Sequence, residues 1–329
     1  MKKFFSLITA AAMLTVSVSA CGFNSVDAGS VSGHDKIQIV TTIFPEYDWV
    51  KNVLGDNPAG AEVTMLLDKG VDLHSFQPTA EDILKISTAA MFIYVGGESD
   101  EWVDDVLKEA VNKNMVVINL LEALGDSVKE EELVEGMQEE EHDHHDEEDE
   151  TEYDEHIWLS LRNAEVLTEK ISEGIQSLDP SNAETYRKNT EMYIEKLNNL
   201  DGEYRKTVEE ASVKTLLFGD RFPFRYLVDD YGLSYYAAFV GCSAETEASF
   251  ETISFLSGKV DELSLPAVLT IEGPDHRIAE TIVQNTKDKN CKILTMDSMQ
   301  ATTGEDAENG TSYLSIMEKN LSVLKEALQ

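Results

Sequence analysis

Between residues 36 and 120 short apolar runs alternate with longer amphipathic stretches. Residues 36–42 read as a strand, 47–54 as a helix and 61–67 as a second strand. Residues 79–88 have the form of a capped helix. Thr79 is followed by Glu81 and Asp82, acids that complement the unpaired N–H groups of a first turn. Residues 91–95 and 115–120 are apolar at successive positions, as in strands covered on both faces. Strands alternating with helices in this way predict a parallel α/β sheet.

The second half repeats the pattern. Strands are expected at 215–219, 236–240, 267–271 and 292–296, and helices at 222–231, 249–263, 277–286 and 311–328. Between the halves one helix runs to about residue 178, and Asp179-Pro180-Ser181-Asn182 breaks it and offers a fresh start. From there Tyr186, Tyr193, Ile194, Leu197, Leu200, Tyr204 and Val208 keep helical spacing as far as residue 211. At 1.5 Å per residue this second helix spans roughly 45 Å, more than one lobe needs. The expected fold is therefore two similar four-stranded βα lobes joined by a long rigid helix. The N-terminal lobe covers 36–180, the joining helix 181–211 and the C-terminal lobe 212–329.

The N-terminal residues change the picture of where this fold works. Lys2 and Lys3 precede an apolar stretch that ends at Val18-Ser19-Ala20-Cys21. This resembles a bacterial lipobox, so 1–21 is read as a lipoprotein signal with Cys21 as the lipidation site. Residues 22–35 are small and polar, and read as a flexible tether. The expected location is the extracytoplasmic face of a cell membrane, held by a lipid anchor. The formal net charge of −37 excludes a nucleic-acid partner, whose phosphates it would repel, and suits a protein that handles cations. Sixteen of the 63 acids fall between Glu130 and Glu155, with no lysine or arginine among them. The segment 129–152 is too polar to fold alone, and reads as an acidic loop. Its His142, His144 and His145 form either an auxiliary metal-collecting site or an ordinary solvated tract. Cys242 and Cys291 follow Cys21, and in an oxidising compartment they read as one disulfide, or else as a pair of buried free thiols.

Two histidine motifs bring in a family. Gly70-Val71-Asp72-Leu73-His74-Ser75-Phe76-Gln77-Pro78-Thr79 resembles the first ligand motif of zinc- and manganese-type ABC solute-binding proteins, the ZnuA-like metal-binding lipoproteins. Asp154-Glu155-His156-Ile157-Trp158-Leu159 is similar to their second, again with a His-rich acidic loop just before it. The resemblance implies His74 and His156 as metal ligands in an interlobe cleft, and neutral imidazole suits zinc. It places a third ligand where this chain has Arg221, which cannot coordinate a metal. Asp220 is the nearest substitute, or else a helix cap paired with Arg221. Leu294-Thr295-Met296-Asp297-Ser298 resembles the Asp-Ser of manganese-type members, making Asp297 a fourth candidate ligand or a turn cap. Glu272 and Glu245 could accept hydrogen bonds from ligand histidines. His276 reads as a turn histidine.

The implied function is capture of a divalent transition metal, with Zn2+ as cargo and Mn2+ as the alternative, and its delivery to an ABC permease driven by its ATPase. The protein is expected to be a monomer and no enzyme, since no nucleophile elbow, zincin motif or phosphate loop is present. A metallohydrolase and a metal-dependent adhesion lipoprotein are the readings from other classes.

Overall fold

The computed structural model describes residues 36–138, 152–243 and 247–329. The signal and tether with Cys21, the histidines His142, His144 and His145, and Glu245 lie outside the described residues.

In the first lobe the chain runs through β1 (Gln38–Thr41), α1 (Phe44–Leu54), β2 (Glu62–Met65), α2 (Ala80–Thr88), β3 (Met91–Tyr94), α3 (Trp102–Glu109), β4 (Val116–Asn119), α4 (Leu120–Leu124) and α5 (Leu161–Leu178). The four strands are parallel in the order β2-β1-β3-β4. All four residues of β3 are buried, as an apolar run in a doubly covered sheet requires. The α2 start follows its sequence signal: Thr79 accepts from the Asp82 N–H, and the Asp82 carboxylate accepts from the Thr79 N–H in return.

Helix α6 (Ala183–Glu210) leaves this lobe. The second lobe repeats the plan with β5 (Thr215–Phe222), α7 (Arg225–Tyr231), β6 (Ser234–Val240), α8 (Phe250–Leu263), β7 (Ala267–Thr270), α9 (Arg277–Asn285), β8 (Lys292–Thr295), α10 (Gly304–Glu308) and α11 (Tyr313–Ala327). Its parallel strands lie in the order β6-β5-β7-β8, the same winding as the first sheet. In such sheets the ligand crevice opens beyond the carboxyl ends of the strands, where the winding reverses.

The strand β5 outlasts the five residues its sequence suggests. A register shift between Phe218 and Arg221 lets pairing with β6 resume at Arg221 and continue to Phe222. Pro223, which has no N–H to donate, then ends the strand, and α7 begins at Arg225 rather than 222.

The long helix α6 holds the lobes by one apolar face. Tyr186, Tyr193, Leu197, Leu200, Tyr204 and Val208 are all buried, and the helix packs on α1, α5 and α11. The Tyr204 hydroxyl donates to the Met317 carbonyl at 2.6 Å and that of Tyr193 to Asp48 at 3.2 Å. One apolar core accordingly includes residues of both sheets and of α6.

Asp48 gives this core a pH dependence. Burial pushes its carboxyl up to about 6, partly offset by hydrogen bonds from the Tyr313 backbone, Tyr193 and Asn52. The folded state thus holds this proton more tightly than the unfolded chain does. The contribution is most favourable below the unfolded value of about 4, and is lost as pH rises through 6. Relative to wild type, Asp48→Asn is expected to gain up to about 3 kcal/mol between about pH 4 and pH 7. Denaturant unfolding of the metal-free protein across that window measures it; parallel wild-type and variant curves would refute it.

Candidate metal centre

His74 is set by a loop that follows β2. Gly70 takes a positive φ of 69°, and a Cβ there would stand 2.9 Å from the Ala301 carbonyl, so the loop lies against the second lobe. Asp72 then caps the short 3-10 turn Leu73–Ser75 by accepting from the His74 N–H at 3.1 Å. Buried Leu73 and Phe76 pin the turn from either side.

His156 is fully buried at the start of another 3-10 turn, Ile157–Leu159, whose three side chains are themselves buried. Asp154 Oδ1 accepts from the His156 N–H at 2.8 Å and lies 3.0 Å from Nδ1 of the same residue. One carboxylate therefore fixes both the backbone and the ring.

The two imidazoles meet at Nε2, 3.2 Å apart. His74 Nδ1 faces Ser99 Oγ at 2.8 Å and Glu155 Oε2 at 3.4 Å; the second contact is electrostatic attraction more than a formed hydrogen bond. Each imidazole has a carboxylate on its Nδ1 side, and the two Nε2 atoms face the same space. The Gln300 amide adds to this. Turned so that its NH2 donates to both Asp72 oxygens at 3.1 Å, its carbonyl oxygen accepts from His156 Nε2 at 3.2 Å. Two nitrogens on a tetrahedral zinc at 2.0–2.1 Å stand about 3.3 Å apart, close to the separation here.

Among the described residues one group of metal-ligating side chains comes together, and it consists of His74, His156 and Cys242, with donor atoms within 4.8 Å of one another. Asp220 and Asp297 are not part of it. Asp220 accepts from the backbone N–H groups of Arg221 at 2.9 Å and Ile271 at 3.3 Å, inside the second lobe. Asp297 accepts from the Met299 N–H at 2.8 Å, which makes it a turn cap. Both Glu272 oxygens are taken up by the following loop, through Ser298 N–H and Oγ at 2.6 and 2.7 Å and Gln300 N–H at 3.0 Å, rather than by a histidine. His276 stands at the N-cap of α9, outside the group. The carboxylates behind the imidazoles are instead Asp154 and Glu155. Their sequence signal is plain: they immediately precede His156.

The expected disulfide does not form, and Cys242 and Cys291 are free. Cys242 follows the carboxyl end of β6, whereas Cys291 precedes the amino end of β8. The two strands are parallel and occupy opposite edges of the sheet. Three strand spacings of about 4.8 Å exceed the roughly 7 Å limit on bridged Cα atoms before the strand lengths are added.

The site is a strongly negative setting. Burial pushes Asp100 up to about 7, aided by nearby Glu155. Burial likewise raises the Cys242 thiol, with Asp154, Glu131 and Glu155 adding to the effect. Burial also raises Asp297 to about 6, together with the Glu272 charge. Asp72 goes the other way. Burial opposes its ionisation, but the Arg221 guanidinium paired with it holds its carboxyl below the usual range.

The family described as "Zinc-uptake complex component A periplasmic" (ZnuA) matches residues 39–327. The chain belongs to the ZnuA family. Two curated family relatives are the "Zinc-binding lipoprotein AdcA" of Streptococcus pneumoniae and the "High-affinity zinc uptake system protein ZnuA" of Bacillus subtilis. The first is 32% identical over 293 residues, covering 88% of this chain and 56% of AdcA. The second is 30% identical over 329 residues, covering 99% of this chain and 98% of that protein. This chain thus spans little more than half the length of the AdcA relatives it matches. The crystal structure of the Zn(II)-bound ZnuA-like domain of S. pneumoniae AdcA superposes with a TM-score of 0.69 at 30% identity, covering 89% of this chain and 99% of that one. The lipoprotein YcdH of B. subtilis, described as metal-dependent, gives 0.71 at 27%, again with 89% and 99% coverage. These ZnuA-like structures share the two-lobe fold. No described helix is long and apolar enough to cross a membrane.

Proposed function

We propose that this ZnuA-family chain is the extracytoplasmic receptor of an ABC importer, with Zn2+ as the cargo held between its lobes by His74 and His156. One observation carries the reading: two Nε2 atoms 3.2 Å apart, each ring with a buried carboxylate on its Nδ1 side. That arrangement lets both ring nitrogens turn toward one cation, which supports the reading. The zinc-binding names of the relatives, and the Zn(II)-bound state of a 30% identical structure, support zinc over manganese. The partners are the permease and its ATPase, and Cys21 carries the lipid anchor that keeps the receptor, a monomer, at the membrane. The ion passes through unchanged, so the protein is no enzyme. His142, His144 and His145 collect metal weakly, in addition to the tight site.

The full-length chain is expected to bind one equivalent of Zn2+ that about a hundredfold excess of Mn2+ does not displace, since imidazole ligands favour zinc. Removing residues 139–151 should cost only weak additional binding. Metal analysis with competitive titration decides it. Manganese displacing zinc would make this a manganese receptor. Loss of the tight equivalent with the loop would place the receptor site in the loop. Hydrolysis of a phosphoester or peptide by the zinc form would favour the metallohydrolase, and normal growth of a deletion strain in chelated medium the adhesion protein.

A further inference from the structure

The slot at the end of β5 where a third ligand was expected holds Arg221. Its guanidinium reaches across the cleft to pair with Asp72. A fixed cation there cannot bind a metal ion, so the third donor has to come from another element. The neighbouring strand supplies one. Cys242 lies just past the end of β6, with its sulfur no more than 4.8 Å from either histidine nitrogen.

The loop carrying this thiol is built against the imidazole. A Cβ on Gly241 would stand 3.0 Å from both Nδ1 and Cε1 of His156 and 2.9 Å from the Phe222 carbonyl, closer than a side chain tolerates. Glycine therefore lets the second-lobe backbone lie flush on a first-lobe ligand. The next residue is tied down from across the cleft, where the Cys242 N–H donates to Glu131 Oε1 at 3.1 Å. In a tetrahedral site with Zn–N near 2.05 Å and Zn–S near 2.3 Å, the N···S edge is about 3.6 Å. Closing from at most 4.8 Å to that edge takes a movement of about 1 Å.

We infer that Cys242, as a thiolate, is the third protein ligand of the cargo ion, and that the receptor selects thiophilic divalent ions of the zinc and cadmium kind over manganese. This deepens the receptor reading above and rests on it. On binding, the S–H bond breaks, the sulfur electron pair goes to the metal and the proton leaves to water. Two imidazoles and a sulfur form a softer set than imidazoles with carboxylates, and manganese, which prefers oxygen, loses most by the exchange. The sulfur also explains why no disulfide partner is placed beside Cys242.

The test uses the full-length chain loaded with one equivalent of Co2+, whose thiolate complexes show a sulfur-to-metal charge-transfer band in the near ultraviolet. Wild type and Cys291→Ser are expected to show the band, and Cys242→Ser to lack it. Zn2+ competition against a chelator should weaken at least tenfold in Cys242→Ser, and Mn2+ binding should change less than threefold, with the melting temperature of the metal-free protein as a folding control. A band that survives in Cys242→Ser would overturn the inference, as would unchanged zinc affinity in that variant. Tight binding of one zinc by wild type without any thiolate band would remove Cys242 and leave the receptor reading intact. No tight zinc in wild type would remove both.

Discussion

His74→Ala combined with His156→Ala is expected to weaken zinc binding about ten-thousandfold. Structural zinc sites gain roughly 10–16 kcal/mol from about four ligands, so each ligand is worth about 3 kcal/mol, or on the order of a hundredfold. Removing both imidazoles also leaves the Glu155 and Asp154 carboxylates with nothing to orient. Changing only those carboxylates, as Glu155→Gln or Asp154→Asn, should cost roughly ten- to a hundredfold, because the ring donors remain but their tautomer and angle are no longer held. Chelator competition reads the affinities. Zinc binds only the folded protein, so it should raise the wild-type melting temperature and leave that of the double variant unmoved. His156 is fully buried, so its loss also disturbs packing; His74 is only partly so, and His74→Ala alone gives the cleaner reading of the site. A double variant that still binds zinc as wild type does would show that the cleft is not where the ion sits.

How much of this was legible follows from which interactions are local. The capping box at Thr79, the break at Asp179-Pro180 and the tyrosine face of α6 each depend on residues a few positions apart, and the chain reveals them without a partner. The histidines were nameable because each lies in a short motif whose neighbours, Asp72 and Asp154, bond the same residue's backbone. Cys242 was not. The role proposed for it depends on β6 being laid beside β5 and on Gly241 lying against His156, facts of strand order that no periodicity carries. Asp220 stands apart from the histidine group for a related reason. The register shift in β5 carries the strand past it and turns its carboxylate onto the Ile271 N–H within the lobe. The cysteine pair could have been doubted from sequence alone. One cysteine follows a strand and the other precedes one, and in a parallel sheet those positions lie at opposite ends.

The same long-range packing makes Trp158 the side chain whose loss should do most damage to the fold. Its ring is 1% exposed and leans on His156, with centroids 5.2 Å apart. The indole N–H donates to the Ser298 carbonyl in the second lobe at 2.9 Å, and the Trp158 carbonyl accepts from the Tyr313 hydroxyl at 2.7 Å. Tyr313 in turn stacks edge-on against Trp49 of α1. Trp158 therefore joins both lobes two residues after His156, a proposed ligand. Truncation to alanine removes a large buried ring and leaves the Ser298 carbonyl unpaired, which together cost about 4–5 kcal/mol. In a protein this large that corresponds to a melting temperature lower by roughly 7 °C. Trp158→Phe keeps most of the ring and loses the N–H bond, so it should cost only about 1–2 kcal/mol. Thermal and denaturant unfolding of the metal-free variants supply the comparison. Zinc affinity should fall in the same order, because the His156 ring loses the surface it packs on. Should alanine and phenylalanine prove equally mild, the lobes are held by α6 alone and the tryptophan merely fills space beside the site.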